Sequence, residues 1–167
     1  TIAEHAALVK YIDMPLQHAS ASVLKRMKRG ASGDIFLRLI ERIRRSIPGV
    51  AIRTSFIAGF PGETQSDFEE LCSFVEAARF DNLGVFTYSD EDTSASYGLD
   101  GKVDGRTIHN RKRRLMAIQR KIARARTALR ACPWWRGQRA VAPLEHELGA
   151  TLAAGVGNRP RCAARRR

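Results

Sequence analysis

Apolar positions fall at helical spacing in four stretches and crowd into short runs in three others, and the two kinds alternate along the chain. The first run predicts a strand over 10–14, Lys10-Tyr11-Ile12-Asp13-Met14, stopped by Pro15. Ser20 then caps a helix through about Lys28, with Val23, Leu24 and Met27 on one face, and Gly30 ends it. A second helix follows from about Asp34 to Ser46. Phe36, Leu39, Ile40, Ile43 and Ile47 keep the i, i+3, i+4, i+7 rhythm there, and Arg38, Arg42 and Arg45 face water. Pro48-Gly49 breaks the chain before a strand over Val50 to Ala58. After the tight turn Gly59-Phe60-Pro61-Gly62, Thr64 caps a helix whose N-terminus Asp67 favours electrostatically. Phe68, Leu71, Cys72 and Val75 carry its apolar face to about Ala78. Leu83 to Ser89 reads as a buried strand, residues 90–105 as a long polar loop, and about Arg106 to Arg130 as a last helix. Leu115, Ile118, Ile122, Ala125 and Leu129 form its apolar stripe.

Strands separated by helices in this order predict parallel α/β units. Three strands are too few to close a barrel but can form half of one. The start at Thr1, without an initiator methionine and in what reads as the end of a helix, fits a chain that begins inside a larger protein. Residues 131–167 lose the periodicity and are rich in Arg, Ala and Gly, which predicts a largely unstructured tail. The division expected is therefore 1–130 and 131–167.

Charge sharpens that division. Residues 1–105 hold 12 Lys/Arg and 15 Asp/Glu, whereas 106–167 hold 17 and 2, so the formal excess of +12 is wholly C-terminal. Such asymmetry suits a solvated helix face with a basic tail, or a segment that faces nucleic acid. Cys72, Cys132 and Cys162 are too widely spaced for a Cys-x-x-Cys metal site and are odd in number, which points to reduced thiols and a cytoplasmic setting. Cys72, among Leu71, Phe74 and Val75, reads as a core thiol. No apolar run approaches the ~20 residues of a membrane helix, so no membrane partner is expected.

Candidate chemistry gathers at the carboxyl ends of the strands, where α/β folds bind ligands. Gln17, His18 and Ser20 follow the first strand, the glycine turn follows the second, and Tyr88 and Ser89 end the third. Each has a plain reading as well: loop polarity, a helix cap, an ordinary βα turn. His18 alone carries little weight. Three such ends converging carries more.

The strings Y-I-D-M-P-L-Q-H-A-S-x-x-V-L-K-R-M-K-R-G, R-T-S-F-I-A-G-F-P-G-E-T and V-F-T-Y-S-D-E, in this order over about residues 8–130, resemble the fourth, fifth and sixth strand motifs of the radical S-adenosylmethionine methylthiotransferases. P-L-Q-H and F-T-Y-S-D-E resemble the ribosomal-protein branch more than the tRNA branch. The resemblance implies the C-terminal half of a partial TIM-like barrel, with helices packed on the sheet. It implies S-adenosylmethionine and [4Fe-4S] clusters as the family's cofactors, and an aspartate of a small-subunit ribosomal protein, methylthiolated at its β-carbon, as substrate. By the same resemblance Gln17 and Ser20 are candidates for cofactor or substrate contact. Gly59, Phe60, Pro61, Gly62 and Glu63 match the turn on the adenine side of S-adenosylmethionine, with Arg53, Thr54 and Tyr88 as further candidates. Arg53 and Thr54 point to opposite faces of a strand, so at most one lines the barrel interior. The family's Cys-x-x-x-Cys-x-x-Cys cluster loop is absent from this sequence, and 131–167 do not resemble the family's β-rich C-terminal domain. The isolated chain is therefore expected to be inactive. A competing reading makes residues 106–167, with Arg111-Lys112-Arg113-Arg114, a basic module that contacts ribosomal RNA.

Overall fold

A computed structural model describes residues 2–5 and 7–131 of the chain. Its elements run β1 (Tyr11–Gln17), α1 (Ala21–Arg26), α2 (Gly33–Ser46), β2 (Ala51–Ala58), α3 (Gln65–Ala78), β3 (Asn82–Thr87) and α4 (Gly105–Ala131). The expectations for the tail, including Cys132 and Cys162, lie outside the described residues. The strands form one parallel sheet in the order β1-β2-β3, as the alternating pattern implies. No described helix is long and apolar enough to cross a membrane.

Burial along β2 separates the two sheet faces. Ile52, Thr54, Phe56 and Ala58 are buried under the helices, while Arg53 is exposed on the other face and Ser55 and Ile57 are half-buried. Phe56, Phe74 and Phe80 meet edge-on or tilted at ring-centroid distances of 5.9–6.1 Å, the arrangement aromatic quadrupoles favour. Leu71, Val75, Ile40 and Leu115 close this core from the helices. The helices therefore cover one face. On the other, Tyr11, Asp13, Pro15 and Phe86 are exposed, and Arg53 pairs with Asp13 at 3.0 Å across the strands.

Two element boundaries differ from the sequence pattern. β1 does not stop at Pro15 but continues to Gln17. Met14 pairs with Thr54 and Gln17 with Phe56, so one extra β1 residue bulges between them. Proline is tolerated at a bulge because no ladder bond is needed from its missing N–H. The Thr54 hydroxyl patches the gap, donating to Met14 O at 2.8 Å and receiving a long contact from Leu16 N at 3.5 Å. β3 ends at Thr87, two residues short of Ser89. In α4, Leu115 and Ile122 are buried as expected, whereas Ala125 is exposed and Ile108, Arg111 and Gln119 are buried instead.

Candidate functional site

Each strand delivers a different kind of group to the same sheet edge. β1 delivers Gln17, whose φ of 73° places a non-glycine residue in the left-handed region. That conformation costs about 1–3 kcal/mol and persists only where its surroundings hold it, a pattern common at ligand sites. β2 runs into Gly59 and Phe60. β3 runs into Tyr88, whose N–H donates to Ala58 O at 2.9 Å and so keeps the two strand ends in register. The Tyr88 ring meets the edge of Phe60 at 5.5 Å and 76°. Its hydroxyl lies 3.1 Å from the Asp90 carboxylate and 3.0 Å from Ser96 Oγ. Gln17, Phe60 and Tyr88 line one open cleft of about 370 Å³, together with Ser55, Ile57 and Phe86 from the uncovered sheet face. A neighbouring depression shares Gln17, Ile57 and Phe60 and extends past Met27 to Leu99.

The turn after β2 is held from behind rather than from the cleft. The buried Glu63 carboxylate accepts hydrogen bonds from Gly59 N and from Phe60 N at 3.1 Å. Arg111 of α4 pairs with Glu63 Oε1 at 3.1 Å and donates to Glu63 O at 3.1 Å. Burial pushes the Glu63 carboxyl above its usual range, against the pull of Arg111 and the two N–H groups. From α1, Arg26 donates to Pro61 O at 3.0 Å and pairs with Asp100 at 2.9 Å, while Gly62 N donates to Gly101 O at 2.7 Å. The loop of residues 88–104 is thereby pinned across the turn.

Several residues singled out by sequence are thus committed to the scaffold. The buried Ser20 hydroxyl donates to Asp67 Oδ1 at 2.7 Å, tying the start of α1 to the start of α3, and it does not cap its own helix. Partial burial works against ionisation of Asp67, but the hydroxyls of Ser22, Thr64 and Ser20 and the N–H of Thr64 hold its carboxyl well below the usual range. Thr64 and Asp67 complete a reciprocal capping box on α3. Thr54 is buried at the bulge, and of the Arg53/Thr54 pair only Arg53 lies on the open face. Gly59 faces Ile108 of α4, and Gly62 faces the Arg26 guanidinium. Of the residues matched to the family, Gln17, Phe60 and Tyr88 line the cleft. Sequence reasoning passed over Ser55, Ile57 and Phe86, which alternation along β2 and β3 places on the open face.

This arrangement suits a flat ligand of mixed polarity: aromatic edges, an aliphatic floor, a side-chain amide and several hydroxyls. Its volume lies within the range of small-molecule sites, ~300–1,000 Å³. A cluster of iron and sulfur does not fit the described residues. They contain no group of three or more His, Cys, Asp or Glu able to hold a metal ion. Cys72 is buried, and that burial pushes its thiol up to about 11, away from the thiolate a metal requires.

Comparison with known proteins matches residues 2–75 to the radical SAM superfamily. A ribosomal protein uS12 methylthiotransferase RimO of Solibacter usitatus (strain Ellin6076) is 90% identical over 126 residues, covering 75% of this chain and 27% of the relative. The proteins of the same name from Koribacter versatilis (strain Ellin345) and Sorangium cellulosum (strain So ce56) are 56% identical over 124 residues and 50% over 127. They share 74% and 76% of this chain, and 25% and 26% of their own lengths. The chain thus spans about a quarter of the length of these curated relatives.

Proposed function

The chain belongs to the radical S-adenosylmethionine methylthiotransferases, and on that premise we propose that residues 2–131 form the cofactor-facing later strands of an enzyme that methylthiolates the β-carbon of an aspartate in ribosomal protein uS12. The convergence of Gln17, Phe60 and Tyr88 on one cleft at the carboxyl edge of the sheet carries this reading. Phe60 and Tyr88 offer aromatic edges to an adenine, Ile57 offers an aliphatic floor, and the Gln17 amide can both donate and accept. Glu63 and Arg111 hold the turn at a fixed height behind Phe60, so the contact to the base is set before ligand arrives. S-adenosylmethionine at an iron–sulfur cluster supplies the radical chemistry, and the part played by these residues is to orient and enclose. The cluster ligands must come from elsewhere than the described residues.

The test is a hybrid in which this segment replaces the matching stretch of the Solibacter usitatus relative, reconstituted without oxygen. Mass spectrometry should find a methylthio group on an aspartate of uS12 and none on tRNA adenosine. Phe60→Ala and Gln17→Ala should each raise the S-adenosylmethionine concentration for half-maximal rate about tenfold, the equivalent of one lost contact of ~1.4 kcal/mol. Modification of tRNA instead, or variants with unchanged cofactor dependence, would overturn the reading.

A further inference from the structure

α4 carries ten Lys/Arg and no Asp/Glu over residues 105–131. Packing sorts them. Arg111 is buried against Glu63, Arg126 pairs with Asp81 at 2.7 Å, and Arg114 lies over the Phe68 ring at 5.6 Å. Lys112 is half-buried, and Arg130 lies outside the described side chains. What remains shares only Arg113 with the Arg111–Arg114 run that stands out in the sequence. Arg106, Arg113, Arg120, Lys121 and Arg124 are all exposed, and none has an ion-pair partner among the described residues. At 100° per residue Arg106, Arg113, Arg120 and Arg124 fall within one narrow stripe, opposite the buried Ile108, Leu115 and Ile122. The stripe is straight, with roughly 10 Å between Arg106, Arg113 and Arg120, and about 27 Å long.

Such a stripe costs the isolated helix stability. Arg120 and Arg124 are like charges at i, i+4, and Arg106 sits in the first turn, where the helix dipole disfavours a cation. A partner that supplies regularly spaced anions removes both costs. We propose that the outward stripe of α4 docks the phosphate backbone of a folded nucleic acid, and specifically RNA. Four of the five groups are guanidinium forks, which match phosphate oxygens in pairs. A membrane surface is the poorer fit, because a membrane helix needs an apolar face beside its cations and the apolar face of α4 is buried in the core. An acidic protein does not require the even spacing. The choice of RNA over DNA rests on the proposed ribosomal substrate; the choice of phosphate backbone does not.

The experiment titrates the full chain into a labelled RNA hairpin and into a DNA duplex of equal length, at several salt concentrations, by fluorescence anisotropy. Wild type should bind RNA at least as tightly as DNA, with affinity falling steeply as salt rises, by roughly one log unit per log unit for each stripe cation engaged. R113E/R120E/R124E should weaken RNA binding at least ~tenfold and flatten the salt slope by about three. R113Q/R120Q/R124Q, the gentler set, should do so to a lesser degree, with helix content checked by circular dichroism. R38E/R42E/R45E on the exposed face of α2 makes the same change in net charge and should cost less than about threefold, since separated surface charges are screened. Equal losses in the α2 and α4 sets would reduce the effect to bulk charge. Unchanged binding in both α4 sets would overturn the stripe and move the contact to residues 132–167. Tighter binding to DNA would overturn the RNA assignment, and uptake by anionic vesicles in preference to RNA would overturn the partner class.

Discussion

His18 is completely buried just beyond the end of β1, and its Nδ1 accepts a hydrogen bond from Ser20 N at 3.0 Å. The ring proton therefore sits on Nε2, which has no hydrogen-bond partner among the described residues. Burial lowers the pKa to about 4, with Asp67 pulling up and Arg111 pushing down. A folded pKa below the unfolded value of 6.5 means that the unfolded chain takes up the proton first. Stability from this group is complete above pH 6.5 and is lost as pH falls toward 4. Between pH 7 and pH 5 the loss should be about 2 kcal/mol. Glu63 runs the other way, since a raised carboxyl pKa gives back stability on acidification, so the clean measurement is a difference. Urea unfolding of wild type and His18→Gln at both pH values should show the variant losing about 2 kcal/mol less than wild type. Equal losses in the two proteins would show that His18 titrates normally. Arg111 holds the residue-scale lesson. It sits in a run that reads as solvated, yet Ile108, Arg111, Leu115, Gln119 and Ile122 share the spacing of the buried face. A cation on that face signals a buried carboxylate partner. What the sequence does not show is that the partner is Glu63, because that contact spans 48 residues.

The turn between β2 and α3 shows how an element can be legible while the reason for its residues is not. Strand, glycine turn and capped helix all read correctly from the pattern. The natural reading of the glycines is close approach by a ligand. In the fold, Gly59 (φ 82°) yields instead to α4: a Cβ there would lie 2.3 Å from Ile108 Cγ1. At Gly62 (φ 85°) a Cβ would lie 2.5 Å from Arg26 Nε, near the far end of a long side chain. The two alanine variants should therefore differ. Gly59→Ala should cost about 2–4 kcal/mol, from left-handed strain plus overpacking against a fixed neighbour. Gly62→Ala should cost less, about 1–3 kcal/mol, since the strain is similar and the half-exposed Arg26 can turn to water as it gives up its bonds to Pro61 O and Asp100. Denaturant midpoints compare them, and Gly59→Ala should cost less in an Ile108→Ala background, which lacks the clashing Cγ1 and Cδ1. Equal costs, or no relief in that background, would mean that backbone strain alone sets both glycines. The missed extension of β1 has a comparable cause. Pro15 does stop a regular ladder, but the Thr54 hydroxyl, 40 positions from the Met14 carbonyl it bonds, bridges the gap.

At the scale of the whole molecule, the parallel sense of the strands was legible because each strand is followed by its own helical pattern. Which sheet face stays open was not, because buried parallel strands read as nearly continuous apolar runs. Alternation groups the residues, but only the packing shows which group is open: the helices cover Ile52, Thr54 and Phe56, leaving Arg53, Ser55 and Ile57, in register with Asn82, Gly84 and Phe86, on the other side. That side carries no covering layer among the described residues. Phe86 is 59% exposed and Tyr11 42%. Among the described residues β1 has a strand neighbour only on its β2 side, and an outer edge left so offers backbone groups to another chain. Exposed apolar surface and an open edge together favour association between copies. Against this stands a net charge of +12, which repels copies at low salt and is screened at high salt. The isolated chain should therefore be monomeric when dilute at low salt and should associate as either protein or salt concentration rises. Sedimentation velocity over both ranges reads this directly. Phe86→Lys, which places a charge on the open face, should shift the distribution back toward monomer. The salt trend is opposite to that expected for binding to a phosphate backbone, so one salt series separates the two surfaces. A wild-type chain that stays monomeric and melts cooperatively at high concentration and high salt would mean that the open face is covered within a single copy, by residues outside those described.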